Sequence, residues 1–509
     1  MQNRQQLPLG IDLGTSTSVI AIFRDGQPQP IPDFSSKAKS PIIPSIVAVD
    51  SRKRLIVGEH ARRYDGVREV KRLMENPQPI LLGGEEYRPE QISAVILRKL
   101  KENAEALYGD FTDVILSVPA IFTDVGKHNT VQAAKLAGLN VIHLISEPTA
   151  AALAYGIRDL DADEKVLVFD FGGGTLDISI IEMMNGVLDV TGTYGDSQLG
   201  GKDFDQVLID LILSKFRNEV DQDVEISKVA LMQLKEYAET CKIALSEQED
   251  FTVNIFNFVI QNGIPLDLTV DITREEFEQA SSSLIARALA CLEKALQVTK
   301  SPAESIQRVL LVGGSTYIPT VRKMLASVFN CPLSTEIPPD LAVAMGTAIQ
   351  AQRLLDGSNE LVLVDKYPYG IGVEILDWTG SDYQLIYDPL SAPNTTVPYS
   401  VTREYSLLHA EQESLEMRVF QTLNPHTRSL AEAIFTGLAA RFEDIPHSSS
   451  GRPHPITVNF NIDSNHLIHL AATITSTGQS VELTLSPNDL RIDDGEEFSR
   501  LQEQLDDLW

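Results

Sequence analysis

Two stretches of this chain carry the same chemistry-bearing pattern. Leu9-Gly10-Ile11-Asp12-Leu13-Gly14-Thr15-Ser16-Thr17 runs into the apolar segment Val19-Ile20-Ala21-Ile22-Phe23. The second, Val168-Phe169-Asp170-Phe171-Gly172-Gly173-Gly174-Thr175-Leu176-Asp177, runs into Ile178-Ser179-Ile180. Each is an apolar strand, an Asp, a glycine turn with a Thr and a second apolar strand, and the two Asp residues lie 158 positions apart. They read as a diverged internal repeat. Glycine lets a backbone approach an oxygen-rich ligand closely, and successive N–H groups in such turns bind phosphate oxygens. An Asp at the strand end suits a hydrated magnesium ion, because hard cations take oxygen ligands. Two such hairpins make a phosphate clamp. A third glycine site, Gly313-Gly314-Ser315-Thr316, follows the apolar run Val309-Leu310-Leu311-Val312 and offers backbone to a nucleotide's sugar or base.

Positioning these turns requires large cores, and 509 residues suffice for roughly three to four domain-sized ones. Apolar residues make up 43% and charged residues 22%, the composition of a packed globular protein. With 42 Lys and Arg against 71 Asp and Glu, the net charge is −29, which repels phosphate backbones and anionic lipid at long range. Nucleic acid and membrane surfaces are therefore not expected as partners. A nucleotide is still compatible, since local N–H groups and a metal ion outweigh the global field. Three cysteines, Cys241, Cys291 and Cys331, form no CxxC pair and fit a reducing cytoplasm rather than a disulfide framework or a zinc site. No uncharged apolar run approaches the ~20 residues of a membrane span.

Residues 1–356 alternate strand-like runs with helical stretches such as 91–107, the pattern of an α/β domain. Leu231, Leu234, Ala238, Cys241 and Leu245 step by three and four, which predicts a buried helix face with Cys241 in the packing. Residues 357–366 form a break containing the short apolar run Leu361, Val362, Leu363 and Val364. Residues 367–486 divide into short strand-like pieces at 415–420, 456–462, 467–474 and 481–485, which predicts an antiparallel β domain. The tail, 487–509, carries eight acidic and two basic residues.

These motifs, together with Val118-Pro119-Ala120, Glu147-Pro148-Thr149-Ala150-Ala151-Ala152 and Leu199-Gly200-Gly201-Lys202-Asp203-Phe204-Asp205, occur in the order found in one family. The chain resembles the seventy-kilodalton heat-shock chaperones of the DnaK type over roughly residues 7–485. The resemblance implies an actin-like two-lobed α/β ATPase domain, an apolar linker and an all-β sandwich that holds extended apolar peptides. It places Asp12, Gly14, Thr15, Ser16 and Thr17 on the first phosphate hairpin, with Gly172, Gly173, Gly174 and Thr175 on the second. Lys71 falls where the family has a lysine near the attacking water, Glu147 on a carboxylate orienting magnesium water, and Asp170 on the water-orienting acid. Asp177 falls on part of a potassium site. Gly200, Gly201, Gly313, Gly314, Ser315, Tyr317, Glu239, Lys242 and Ser246 complete the ATP-binding set. The implied cofactors are ATP or ADP, Mg2+ and K+. The implied partners are unfolded polypeptide, a J-domain co-chaperone and a nucleotide exchange factor, in a cytoplasmic stress-response setting.

The resemblance breaks at identifiable positions. Two adenine-stacking arginines of the family are replaced by Ile243 and Tyr317, which removes contacts worth about 0.5–2 kcal/mol each and predicts weaker or less base-selective nucleotide binding. Lys127 and Lys202 replace an Arg and a Glu, and Lys offers no planar fork. A family Asn-Gly turn becomes Asn465-His466, and His466 with His469 makes no metal pair because residues three apart on a strand face opposite sides. The family's Met-Gly-Gly and Gln-Gly-Glu peptide loops are not recognisable between Trp378 and Arg428. No helical lid follows the sandwich, so bound peptide is expected to exchange quickly. The reading is an ATP-hydrolysing chaperone. The alternatives are a non-hydrolysing nucleotide-sensing scaffold for one dedicated partner and a small-metabolite kinase on the same scaffold.

Overall fold

The run Leu9–Leu13 is buried along almost its whole length, as expected of a strand covered on both faces of a sheet. It pairs in parallel with Asp113–Val118 and antiparallel with Thr17–Arg24. The computed structural model describes residues 7–75, 78–156, 163–184, 187–220, 225–261, 264–357, 362–364, 366–367, 369–378, 382–463 and 468–485. Leu361, the Asn465-His466 turn and the acidic tail lie outside the described residues.

Two six-stranded mixed sheets carry the first part of the chain. The first runs Asn140–Ser146, Asp113–Val118, Leu9–Leu13, Thr17–Arg24 and Gln27–Pro30, with Ile43–Pro44 paired to Thr17–Arg24. The second runs Leu333–Ser334, Arg308–Val312, Glu164–Phe171, Leu176–Met184, Val187–Asp196 and Val362–Val364. In each sheet a glycine-turn hairpin has a parallel strand on its first arm: Gly10 faces Ile115 in one, Leu167 faces Val309 in the other. The repeat read in the sequence is thus also a repeat of topology. Helices Glu147–Gly156 and Ala342–Asp356 pack against each other and contact strands of both sheets. Their approach demands a glycine, since a Cβ on Gly346 would stand 1.7 Å from the Ala150 carbonyl oxygen. Gly357, at φ +63°, ends the second of these helices in the left-handed conformation usual for such a stop.

Helix Lys228–Glu247 starts at Ser227, whose hydroxyl accepts the Ala230 N–H at 3.1 Å. Its buried face is Ala230, Leu234, Ala238, Cys241 and Leu245. The expected stripe therefore needs one correction: Leu231 is exposed, and Ala230, four residues before Leu234, takes the inward position. Cys241 packs in the core, and burial pushes its thiol up to about 12.

The last part of the chain is two four-stranded antiparallel sheets. One contains Tyr383–Pro389, Gly370–Trp378, Leu415–Thr422 and Ile434–Phe442; the other contains Tyr399–Ser406, Pro455–Ile462, Ile468–Ile474 and Ser480–Leu485. They share one apolar core in which Ile371, Val373, Val419 and Ala440 meet Val458, Phe460, Leu470 and Ala472. Between the two parts of the chain, Val362–Val364 pairs in parallel with Val187, Leu188 and Asp189, so this short run forms the edge of the second sheet.

Candidate functional site

The two glycine turns touch. A Cβ on Gly173 would fall 1.8 Å from the Ser16 hydroxyl, and one on Gly174 would fall 2.6 Å from Thr15 Cγ2. Only glycine permits this approach. The second hairpin is buttressed from behind: Gly201 N–H donates to the Gly172 carbonyl at 3.0 Å, Lys202 N–H to that of Gly173 at 3.0 Å, and the Ser315 hydroxyl to that of Gly172 at 2.8 Å. Gly200 lies so close that a Cβ there would meet Gly174 N at 2.4 Å. Gly200, Gly201 and Ser315 therefore shape the turn rather than line its open side.

One cleft gathers Asp12, Gly14, Thr15, Ser16, Thr17, Lys71, Glu147, Asp170, Gly172, Gly173, Thr175, Gly313 and Gly314. Lys71 sits on the short helical turn Val70–Leu73 and donates a short hydrogen bond to Glu147 Oε1, both side chains being buried. Glu147 opens its own helix, where a carboxylate complements the N-terminal end of the dipole. The Ser117 hydroxyl donates to Asp12 Oδ1 at 3.0 Å. Burial, followed by repulsion from Glu147, pushes Asp12 up to about 6 and Asp177 up to about 7. The same causes carry Asp170 well above the carboxylate range. Burial works against the charge on Lys71, yet Glu147, Asp12 and Asp170 outweigh it and raise its pKa.

Four acids, Asp12, Glu147, Asp170 and Asp177, thus surround one lysine in a low-dielectric site, a balance that a dication would correct. Among the described residues no three His, Cys, Asp or Glu side chains come close enough to ligate one ion directly. The acids fit a hydrated cation reached through its water, as Mg2+ usually is.

The remaining predicted contacts stand outside this cleft wall. Glu239 pairs with Arg62 at 2.6 Å, and Lys242 pairs with Asp205 at 2.7 Å and donates to the Gly201 carbonyl at 3.1 Å. Ser246 donates to the Lys242 carbonyl, and Ile243 is exposed. The Tyr317 hydroxyl reaches Asp340 Oδ1 at 3.4 Å, and Arg322 lies over its ring at 5.5 Å. Arg62–Glu239, Arg68–Glu236, Lys228–Asp65 and Lys202–Glu69 join the segment 59–69 to the helices Gly201–Val220 and Lys228–Glu247, which pack on each other. The cleft itself encloses about 70 Å3. Sequence reasoning missed Arg62, and also Asp340 and Pro339, which line the cleft. Asp340 following two prolines ahead of a helix was the only local signal.

The family described as "Hsp70 protein" matches residues 8–79 and 69–507. The chain is 36% identical over 531 residues to the chaperone protein DnaK of Thermotoga neapolitana, covering 99% of this chain and 87% of that protein. It is also 36% identical over 499 residues to the DnaK proteins of Thermotoga petrophila and Thermotoga maritima, covering 96% of this chain and 81% of each. The chain belongs to the Hsp70 family. It is an ATP-dependent chaperone and ATPase of that kind, using ATP and ADP with Mg2+.

The raised acids have a consequence for stability. Their folded pKa values lie above the unfolded value of 3.8, so the folded chain binds more protons between about pH 4 and 7, and stability falls as pH rises through that window. Urea unfolding of the nucleotide-free protein should give a lower midpoint at pH 7.5 than at pH 5.5. Asp177→Asn should flatten the dependence; equal slopes in the two proteins would contradict it.

Proposed function

We propose that the touching glycine turns grip the β- and γ-phosphates of ATP, within an actin-like two-lobed domain spanning residues 1–356. The observation that carries this reading is the convergence of both turns with Lys71, Glu147, Asp12 and Asp170 in one cleft. Hydrolysis transfers the γ-phosphoryl group to water, breaking its bond to the β–γ bridging oxygen, and asks mainly for positioning and charge stabilisation. Lys71, held charged, stabilises the phosphoryl oxygens. Asp170, on the cleft wall, orients the water. Thr15 and Thr175 lie beside Lys71 and fix the phosphate's outer face. A bound Mg2+, held through water by Asp12, Glu147 and Asp170, supplies neutralisation of phosphate charge. Asp177 is the candidate acid for K+.

The β domain, residues 367–486, is proposed to hold extended apolar polypeptide on the outer face of its first sheet. Leu376 stands opposite Leu385, and Phe420 stands opposite Phe435 with ring centroids 5.5 Å apart. Leu376, Tyr383, Leu385 and Phe435 are all exposed. Exposed apolar side chains gathered on one sheet face mark an interaction surface.

Coupling between nucleotide and peptide is proposed to run through the junction, residues 357–366, and the two tyrosines after it. Val362–Val364 extends the second sheet. The Lys127 ammonium lies 4.5 Å from the Tyr367 ring centroid, and the Tyr369 hydroxyl donates to the Ile121 carbonyl. Lys127, the residue standing in for a family arginine, therefore meets the β domain through an aromatic face. J-domain and exchange-factor partners belong to the same reading. A non-turnover scaffold is disfavoured because it leaves the buried Lys71–Glu147 pair without a use.

Single-turnover hydrolysis of pre-bound ATP tests the site. Lys71→Met should slow cleavage about 100-fold or more, the scale of losing one oriented charge-stabilising donor, while ATP affinity changes only a few-fold. An unchanged cleavage rate would favour the scaffold. For the peptide face, the double change Leu376→Asp and Leu385→Asp should weaken binding of an extended apolar peptide about tenfold or more, from lost burial of the two leucines. Basal ATP hydrolysis should persist; full peptide affinity would remove this face from the account.

A further inference from the structure

A second cavity lies behind the hydrolytic lysine. It shares Thr15, Lys71 and Thr175 with the nucleotide cleft as a common wall, and its remaining boundary includes Arg72, Phe122 and Gln198. Its volume of about 40 Å3 accommodates roughly three water-sized groups, the scale of one tetrahedral oxyanion.

The chemistry of this cavity is set by Arg72. Its side chain is only 8% exposed, and Nε and Nη2 have no hydrogen-bond partner among the described residues. Nη1 reaches Gln198 Oε1 at 3.4 Å and Glu69 Oε2 at 3.8 Å. The guanidinium lies against the second glycine turn, since a Cβ on Gly174 would stand 2.7 Å from Arg72 Nε. Buried donors are nearly always satisfied, and a buried charge left short of partners is costly. Burial accordingly holds this guanidinium below its ordinary pKa despite the attraction of Glu69. A planar fork with free N–H groups recognises phosphate and carboxylate oxyanions. The one carboxylate on the cavity wall, Glu75, has its Oε1 engaged by the Thr123 N–H at 2.8 Å. Ser197 and Gln198, both exposed, form the outer mouth.

We propose that this cavity is a holding site for the inorganic phosphate produced by ATP cleavage, with Arg72 as its principal ligand and Gln198 at its exit. The inference rests on the reading of the glycine turns as the phosphate grip. After cleavage, ADP fills the front of the cleft, and phosphate stands at the wall the two cavities share. The rear cavity gives it a cationic resting place and a route to solvent. The lifetime of the state containing both ADP and phosphate is then set by Arg72 separately from the cleavage step.

The test uses the full chain saturated with ADP and Mg2+, with radiolabelled inorganic phosphate as probe in equilibrium dialysis. A phosphate sensor follows release after a single turnover. Arg72→Met should weaken phosphate retention at least tenfold and hasten its release, with ADP affinity and cleavage rate within about twofold of the parent. Arg72→Lys should fall between the two. Gln198→Leu, at an exposed position that folding tolerates, should weaken retention about threefold. Unchanged phosphate retention in both Arg72→Met and Gln198→Leu would overturn the proposal, as would cleavage and release slowing in parallel. Failure of the parent protein to bind ADP at all would instead overturn the reading of the turns.

Discussion

A side chain as small as a methyl group cannot be accommodated between the two glycine turns. Gly173 faces Ser16 and Gly174 faces Thr15 at distances that exclude a Cβ, so the glycine backbone of the second turn rests directly on the side chains of the first. That contact determines where everything else stands. The helices Glu147–Gly156 and Ala342–Asp356 cross behind it with the same intolerance at Gly346, holding the halves at a fixed separation. Lys71 arrives from the first half and Asp170 from the second, and they meet only because the turns do.

Electrostatics then gives the enclosed space its function. Four acids and one lysine in a buried site are an arrangement that folding alone would not favour, since Asp12, Asp170 and Asp177 are driven toward their neutral forms by burial and by their neighbours. The imbalance makes the cleft receptive to a hydrated dication carrying phosphate. Strain of this kind at an active site is commonly offset elsewhere in the fold. Here the large apolar cores beneath both sheets supply that stability.

Much of this was legible in the chain itself, for physical reasons that vary by element. The hairpins could be read because apolar strands, a terminal Asp and a glycine turn are local features, and repeating them twice removes most accidental readings. The helix 228–247 could be read, but its inward face was misplaced by one residue at Leu231, because spacings of three and four leave Ala230 and Leu231 equally acceptable. Lys71 had no local signal and was found only through the family resemblance. Arg62 and Glu239 are 177 positions apart, and their pairing needed the packed structure. The outer face of the β domain was hidden for a related reason: which side of a strand meets solvent depends on register, and Leu376 opposite Leu385 is a fact of pairing.

The contact between the turns should govern nucleotide affinity directly. Calorimetric titration of Mg·ATP into Gly173→Ala should show affinity reduced about 100-fold or more, because the added methyl collides with the Ser16 hydroxyl. Adding Ser16→Gly to that variant should recover a substantial part of the loss. Wild-type affinity in Gly173→Ala, or a loss that Ser16→Gly leaves untouched, would mean that the two turns do not close on the nucleotide as a pair.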